Sequence, residues 1–135
     1  MIYLDTSALV KLIRTEEESE SLADWLDGRT EIPWITSSLT EVELPRAIFR
    51  AAFLEGLSAV PAILARLDKF EIDPVIRSTA AAYQDPALRS LDAIHLATAQ
   101  VAASAASLTA FVAYDRRLRE AARDLGMTTV APGSP

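Results

Sequence analysis

The sequence predicts an α/β domain, a three-layer sandwich of about five short, mostly parallel strands between helices. Three observations carry this. Short apolar runs of strand character alternate with segments of helical spacing along the whole chain. Capping and turn residues fall at the junctions, as at Asp5, Gly28, Pro74 and Asp115. Half of the 135 residues are apolar, enough for a real core in a length that suits one domain.

In order, Ile2 to Leu4 reads as a strand ending at Asp5. Thr6 to Arg14 is helical, with Leu9, Leu12 and Ile13 on one side. Glu16 to Asp27 forms a second helix, with Leu22, Trp25 and Leu26 inward and acids outward, and Gly28 stops it. Ile32 to Thr36 is a strand with Pro33 at its edge. Ser38 to Glu41 fits a capping box and opens a helix to about Glu55, which Pro45 can kink. Gly56 breaks the chain before a helix over Leu57 to Phe70. Glu71 to Asp73 is a short strand, and Pro74 opens a helix to about Gln84. Ser90 caps a helix to about Ala105. Leu108 to Tyr114 is the strongest strand. Asp115 caps an Arg-rich helix that Gly126 ends, and Met127 to Val130 is the last strand. A single domain over residues 1–131 follows, with 132–135 as a short flexible tail.

The composition limits the chemistry. Cys is absent and His95 is the single histidine, which excludes a disulfide scaffold, thiolate metal sites and a His-rich centre. Any metal must take oxygen ligands, which points to Mg²⁺ or Mn²⁺. The net charge of −6 is unevenly placed. Seven acids lie between Glu16 and Glu31 against one base, Arg29, so the remainder is balanced and a local basic groove is allowed. The uncharged stretch from Ala93 to Tyr114 is rich in Ala and broken by Gln100, Ser104, Ser107 and Thr109. A buried helix and strand explain it better than a membrane span. With no Cys and no visible secretory signal, the expected compartment is the cytoplasm.

Asp5, Glu43, Asp92 and Asp115 are the candidate site. Each has a plain structural role: Asp5 and Asp115 can cap helices, and Asp92 can complement a helix dipole. Taken together they mean more. A parallel sheet puts every strand's C-terminal end and the following helix's N-terminus along one edge, where such folds place their sites. Two carboxylates about 4 Å apart repel by about 4 kcal/mol at an effective dielectric near 20. A divalent cation would offset this, and such an ion can activate water and hold a phosphodiester.

The motifs around these acids resemble a known family. Asp5-Thr6-Ser7-Ala8-Leu9-Val10-Lys11 after a three-residue strand is similar to the opening of PIN-domain ribonucleases. Thr40-Glu41-Val42-Glu43-Leu44-Pro45-Arg46 resembles their second motif. Arg89-Ser90-Leu91-Asp92-Ala93-Ile94-His95-Leu96-Ala97 resembles the third motif of VapC-type toxins, and Tyr114-Asp115-Arg116-Arg117-Leu118 the fourth. The resemblance implies a PIN-like fold and Mg²⁺- or Mn²⁺-dependent endonuclease activity on RNA. It implies a VapB-type antitoxin as partner, and a homodimer within a larger toxin–antitoxin complex. It assigns Asp5, Glu43, Asp92 and Asp115 as the catalytic, metal-holding quartet, with Thr6 or Ser7 as the supporting hydroxyl. Glu41 competes with Glu43 for the second place; the motif favours Glu43.

Arg46, Arg116 and Arg117 are candidate RNA contacts, since Arg pairs well with phosphate. His95 shares a helical face with Asp92 (i, i+3), yet a packed core histidine is the plainer reading. Trp25 and Trp34 read as core or partner-facing rather than as base-stacking platforms. A response-regulator receiver needs a late lysine, whereas the only lysines are Lys11 and Lys69. A haloacid-dehalogenase-like phosphatase needs a second Asp at position 7, which is Ser. A PIN-like module that binds RNA or a partner without cutting is the alternative.

Overall fold

A computed structural model describes all of residues 1–135. Five strands form one parallel sheet: β1 (Ile2–Leu4), β2 (Trp34–Ser37), β3 (Asp68–Phe70), β4 (Ala110–Val112) and β5 (Thr129–Val130). Their spatial order is β3-β2-β1-β4-β5. Seven helices connect them: α1 (Thr6–Ile13), α2 (Ser19–Asp27), α3 (Thr40–Arg50), α4 (Val60–Ala65), α5 (Pro74–Ala82), α6 (Ser90–Ala105) and α7 (Arg116–Asp124).

The pleat sorts the core into two layers, because successive strand side chains point to opposite faces. Ile2, Leu4, Ala110 and Val112 pack on Leu9, Leu22, Leu26 and Leu44 of α1, α2 and α3. Tyr3, Ile35, Phe111 and Ala113 pack on the other face against Leu96, Ala99 and Ala102 of α6 and Leu118 and Ala122 of α7. Both faces of β1 and β4 are covered, so these strands are apolar throughout. The Ala-rich run from Ala93 is the buried face of α6, and no helix is long and apolar enough to cross a membrane.

The strand order positions the site. The chain moves outward from β1 to β2 and β3, then returns to the other side of β1 for β4 and β5. That reversal opens a crevice beyond the C-terminal ends of β1 and β4, where doubly wound sheets bind ligands. Asp5 directly follows β1, and Asp115 lies three residues past β4.

Several boundaries differ from expectation. The helix expected to reach Glu55 stops at Arg50. Ala52 turns left-handed (φ 54°), its N–H bonds the Phe49 carbonyl, and the Phe53 N–H bonds the Ile48 carbonyl. This is a Schellman end built on alanine instead of glycine. Ala52→Gly is therefore expected to raise stability by about 0.5–1 kcal/mol, since a left-handed L-residue costs about 1–2 kcal/mol and glycine's extra unfolded freedom returns part of it. Urea denaturation of the two chains checks this. Gly56 sits in a 3₁₀ turn (Leu54–Ala59), where an added Cβ would meet the Phe53 ring at 2.5 Å and Ile13 at 2.9 Å.

The helix expected over Leu57 to Phe70 gives way to the short α4 and then β3, three residues ahead of the strand expected at Glu71 to Asp73. β3 is an edge strand carrying Asp68 and Lys69, both exposed, so it lacks an apolar signature. Asp73 instead caps α5, accepting from the Ile76 N–H at 2.9 Å. The Ser38–Glu41 capping box does not form. Leu39 occupies the cap position of α3 without a side-chain bond, while Ser37 Oγ accepts from the Leu39 N–H at 3.1 Å. Ser90 does not cap α6 either; Arg89 stands at that cap, again with no side-chain bond. Near the C-terminus the Pro132 carbonyl accepts from the Tyr114 hydroxyl at 2.7 Å.

Candidate active site

Asp5 combines capping with a place at the crevice. Its N–H continues the β1–β4 ladder by bonding the Val112 carbonyl at 3.0 Å. Its Oδ2 accepts from the Ser7 N–H at 3.1 Å and the Ser7 hydroxyl at 2.6 Å. Ser7 Oγ in turn accepts from the Tyr114 N–H at 3.0 Å. One serine thus ties the carboxylate after β1 to the chain after β4. The side chain of Asp5 is almost wholly buried.

Glu43 enters from α3. Its Oε1 accepts from the Thr6 hydroxyl at 2.8 Å and lies 2.5 Å from His95 Nε2. Thr6 and Thr40 hydroxyls stand 3.2 Å apart, and Thr40 lies 2.9 Å from Thr36. A buried hydroxyl layer therefore lies under Glu43. Glu41, two residues earlier, faces solvent. Burial pushes the Glu43 carboxyl up, but the bond and charge of His95, the Thr6 hydroxyl and the Arg50 guanidinium hold it below the usual carboxylate range.

Asp92 lies in the first turn of α6, half-buried. Burial raises its carboxyl above the usual range, and the charges of Asp5, Asp115 and Glu43 add to that push while His95 opposes it. This is the electrostatic mark of acids gathered at one rim. Asp115 caps α7 through Oδ1, which accepts from the Leu118 N–H at 2.9 Å. Asp92 and Asp115 both line a cleft of about 690 Å³ with Arg89, Arg116, Arg117 and Glu120. Arg116 is paired to Glu120 at 3.1 Å on the exposed surface. Arg46 lies on the outer part of α3, exposed and outside this cleft.

The donor chemistry fits a hard divalent cation. The Asp92 carboxylate makes no protein hydrogen bond, and Glu43 Oε2 and Asp115 Oδ2 are left without protein donors. No three of the His, Asp and Glu side chains close tightly enough on one point to enclose an ion.

Sequence reasoning set His95 aside as packing. It is packed, at 1% exposure, but its ring also sits behind the acids. Nε2 is 3.6 Å from Asp5 Oδ1 as well as bonded to Glu43, and Nδ1 meets the Tyr3 hydroxyl at 2.6 Å. Burial lowers the tendency of His95 to charge, yet the Glu43 bond and the Asp5, Glu43 and Asp92 charges outweigh it and raise its pKa. The Asp92–His95 spacing was the available signal. Arg89 and Arg50 were also missed as neighbours of the acids. Trp25 and Trp34 pack half-buried against the core, with Arg29 and Arg66 over their rings at 4.1 and 3.7 Å.

A parallel sheet with this switch point and an acidic rim defines a class. The chain belongs to the PIN-domain family, whose model matches residues 2–124. Over 133 residues it is 74% identical to Ribonuclease VapC35 of Mycobacterium tuberculosis, covering 98% of each chain. The crystal structure of Mycobacterium tuberculosis VapC20, a sarcin-ricin loop cleaving toxin, matches with a TM-score of 0.76 at 16% identity, covering 98% of this chain and 100% of that one. The structure of VapBC2 from Rickettsia felis, bound to a DNA fragment from its promoter, matches with a TM-score of 0.72 at 16% identity, covering 98% and 99%. At that identity these two structures speak for the fold alone.

Proposed function

We propose that this chain is the RNA-cleaving toxin of a VapBC-type toxin–antitoxin module, an endoribonuclease using Mg²⁺ or Mn²⁺. The observation that carries this reading is the 74% identity, over nearly the whole of both chains, to Ribonuclease VapC35. The acids at the crevice support it.

Asp5, Glu43, Asp92 and Asp115 are the residues that would hold the cation. When bound, it supplies charge neutralisation at the phosphate and a lowered pKa for attacking water. The chain's own residues do the positioning. Ser7 fixes Asp5 and ties it to the β4 side of the crevice. Thr6 fixes Glu43. Arg89, Arg116 and Arg117 flank Asp92 and Asp115 in the cleft and suit bidentate contacts to the phosphates of a single strand. Arg46, one turn beyond Glu43 on α3 and outside the cleft, is a further candidate contact for the strand.

The partner in this reading is a VapB-type antitoxin, and the toxin itself pairs as a homodimer within the larger complex. Val42 and Phe49 of α3 and Leu54 of the following turn are 63%, 52% and 59% exposed, an apolar face suited to protein contact. The cytoplasm, where RNA is met, is the proposed compartment.

The lack of a closed three-residue cage favours a second reading, a PIN-like module that binds RNA or a partner without cutting. One experiment separates the two. Purified, antitoxin-free chain is incubated with total cellular RNA and Mn²⁺, and new 5′ ends are mapped. Discrete cleavage sites are expected; intact RNA that nevertheless co-migrates with the protein would support the second reading.

A further inference from the structure

His95 is the one buried ionisable side chain at the rim to which the chemistry above gives no role. Its surroundings determine what it does. A carboxylate can only accept, so His95 Nε2 is the donor in the 2.5 Å bond to Glu43. With Nε2 protonated, neutral His95 presents Nδ1 as an acceptor, and the Tyr3 hydroxyl at 2.6 Å donates to it. If the ring is doubly protonated, Nδ1 donates to Tyr3 instead, and the bond to Glu43 keeps its direction. Tyr3 is itself tightly packed. It is fully buried in the central strand, and its ring stacks on Phe111 of β4 at 5.1 Å with planes 2° apart. It meets the His95 ring edge-on at 5.9 Å and 77°.

The orientation therefore passes from the sheet to the rim. Phe111 holds Tyr3, Tyr3 sets the His95 ring, and His95 holds Glu43. Two donors, Thr6 and His95, occupy the same oxygen of Glu43, Oε1. That leaves Oε2 as the oxygen free to serve a ligand. The same Nε2 stands 3.6 Å from Asp5, so one imidazole links the carboxylates contributed by α3 and by the end of β1.

We propose that His95, set by Tyr3, is a positioning residue that holds Glu43 beside Asp5 and reserves Glu43 Oε2 for the divalent cation. The proposal rests on the nuclease reading above. Groups that orient a metal ligand from behind typically change metal affinity by about 10–100-fold when removed.

The test compares wild type with His95→Gln, His95→Asn, His95→Leu and Tyr3→Phe. Mn²⁺ affinity is measured by calorimetry, kcat and KM on a cleavable RNA, and folding by thermal melts in EDTA. Gln carries its amide donor at the reach of imidazole Nε2, whereas Asn ends near the Nδ1 position. His95→Gln is expected to keep Mn²⁺ affinity within about threefold of wild type, and His95→Asn and His95→Leu to lose about 10–100-fold. kcat should fall in parallel while KM for RNA stays level, because the arginines are untouched. Tyr3→Phe should show a smaller loss of the same kind. If His95→Leu fails to fold, the Gln–Asn pair carries the comparison.

Equal Mn²⁺ affinity in wild type, His95→Asn and His95→Leu overturns the proposal. Losses that follow melting temperature alone, with Gln no better than Asn, also overturn it. A wild-type chain that binds no Mn²⁺ overturns the nuclease reading and this proposal together, whereas wild-type binding with indifferent variants overturns this proposal only.

Discussion

Asp5→Asn and Asp92→Asn are each expected to lower RNA cleavage at least about 1000-fold while leaving the melting temperature in EDTA close to that of wild type. The magnitude follows from losing several kcal/mol of charge stabilisation at the metal, at about 1.4 kcal/mol per decade. The two substitutions should differ in stability in an informative way. Asp5 Oδ2 accepts two bonds from Ser7, and an amide oxygen can keep both only if it takes that position. A small loss is expected there, within about 1 kcal/mol for a cap. The Asp92 carboxylate makes no protein hydrogen bond, and its charge is disfavoured first by burial and then by Asp5 and Asp115. Removing that charge should leave the chelated protein unchanged or slightly more stable. Single-turnover cleavage of a labelled RNA, with parallel melts, measures both. An Asp92→Asn chain that cuts at the wild-type rate would place the chemistry elsewhere.

Chelation is expected to have the second largest effect. EDTA should abolish cleavage, and Mn²⁺ or Mg²⁺ in excess should restore it. Binding to the folded state alone stabilises it by RT ln(1 + [L]/Kd), about 2.7 kcal/mol at a hundredfold excess over Kd. For a chain of this size that is a rise in Tm on the order of 10 °C. The rise should be lost in Asp92→Asn. This readout does not depend on RNA, so it also bears on the spacing of the carboxylates. A cation bound there must meet a carboxyl whose charge is disfavoured first by burial and then by its acidic neighbours, and the melting shift reports the net result.

Much of the fold was legible because its strongest elements advertise themselves. Ile2 to Leu4 and Ala110 to Val112 are short apolar runs since both faces of these central strands are covered. Asp115 announces α7 because an acceptor at that point satisfies the Leu118 N–H. β3 was misplaced for the opposite reason. An edge strand tolerates Asp68 and Lys69, so its pairing to Ile35 and Thr36 leaves no hydrophobic pattern. The end of α3 was misplaced because alanine gives no warning of a left-handed turn. Ser38 and Ser90 have the chemistry of caps, yet the cap positions fall on the neighbouring Leu39 and Arg89, and neither serine side chain caps its helix.

The sequence by itself determined the alternation of strands and helices, the four acids with their motif neighbours, and the restriction of any metal to oxygen ligands. Each is a property of residue type and spacing along the chain. Tertiary structure alone decided which side chains stand behind those acids. His95 and Tyr3 are 92 residues apart and meet only because α6 packs on the face of the sheet that Tyr3 presents. Ser7 and Tyr114 are 107 residues apart and meet only because β4 lies beside β1. Such contacts depend on strand order and helix packing, which no local spacing records.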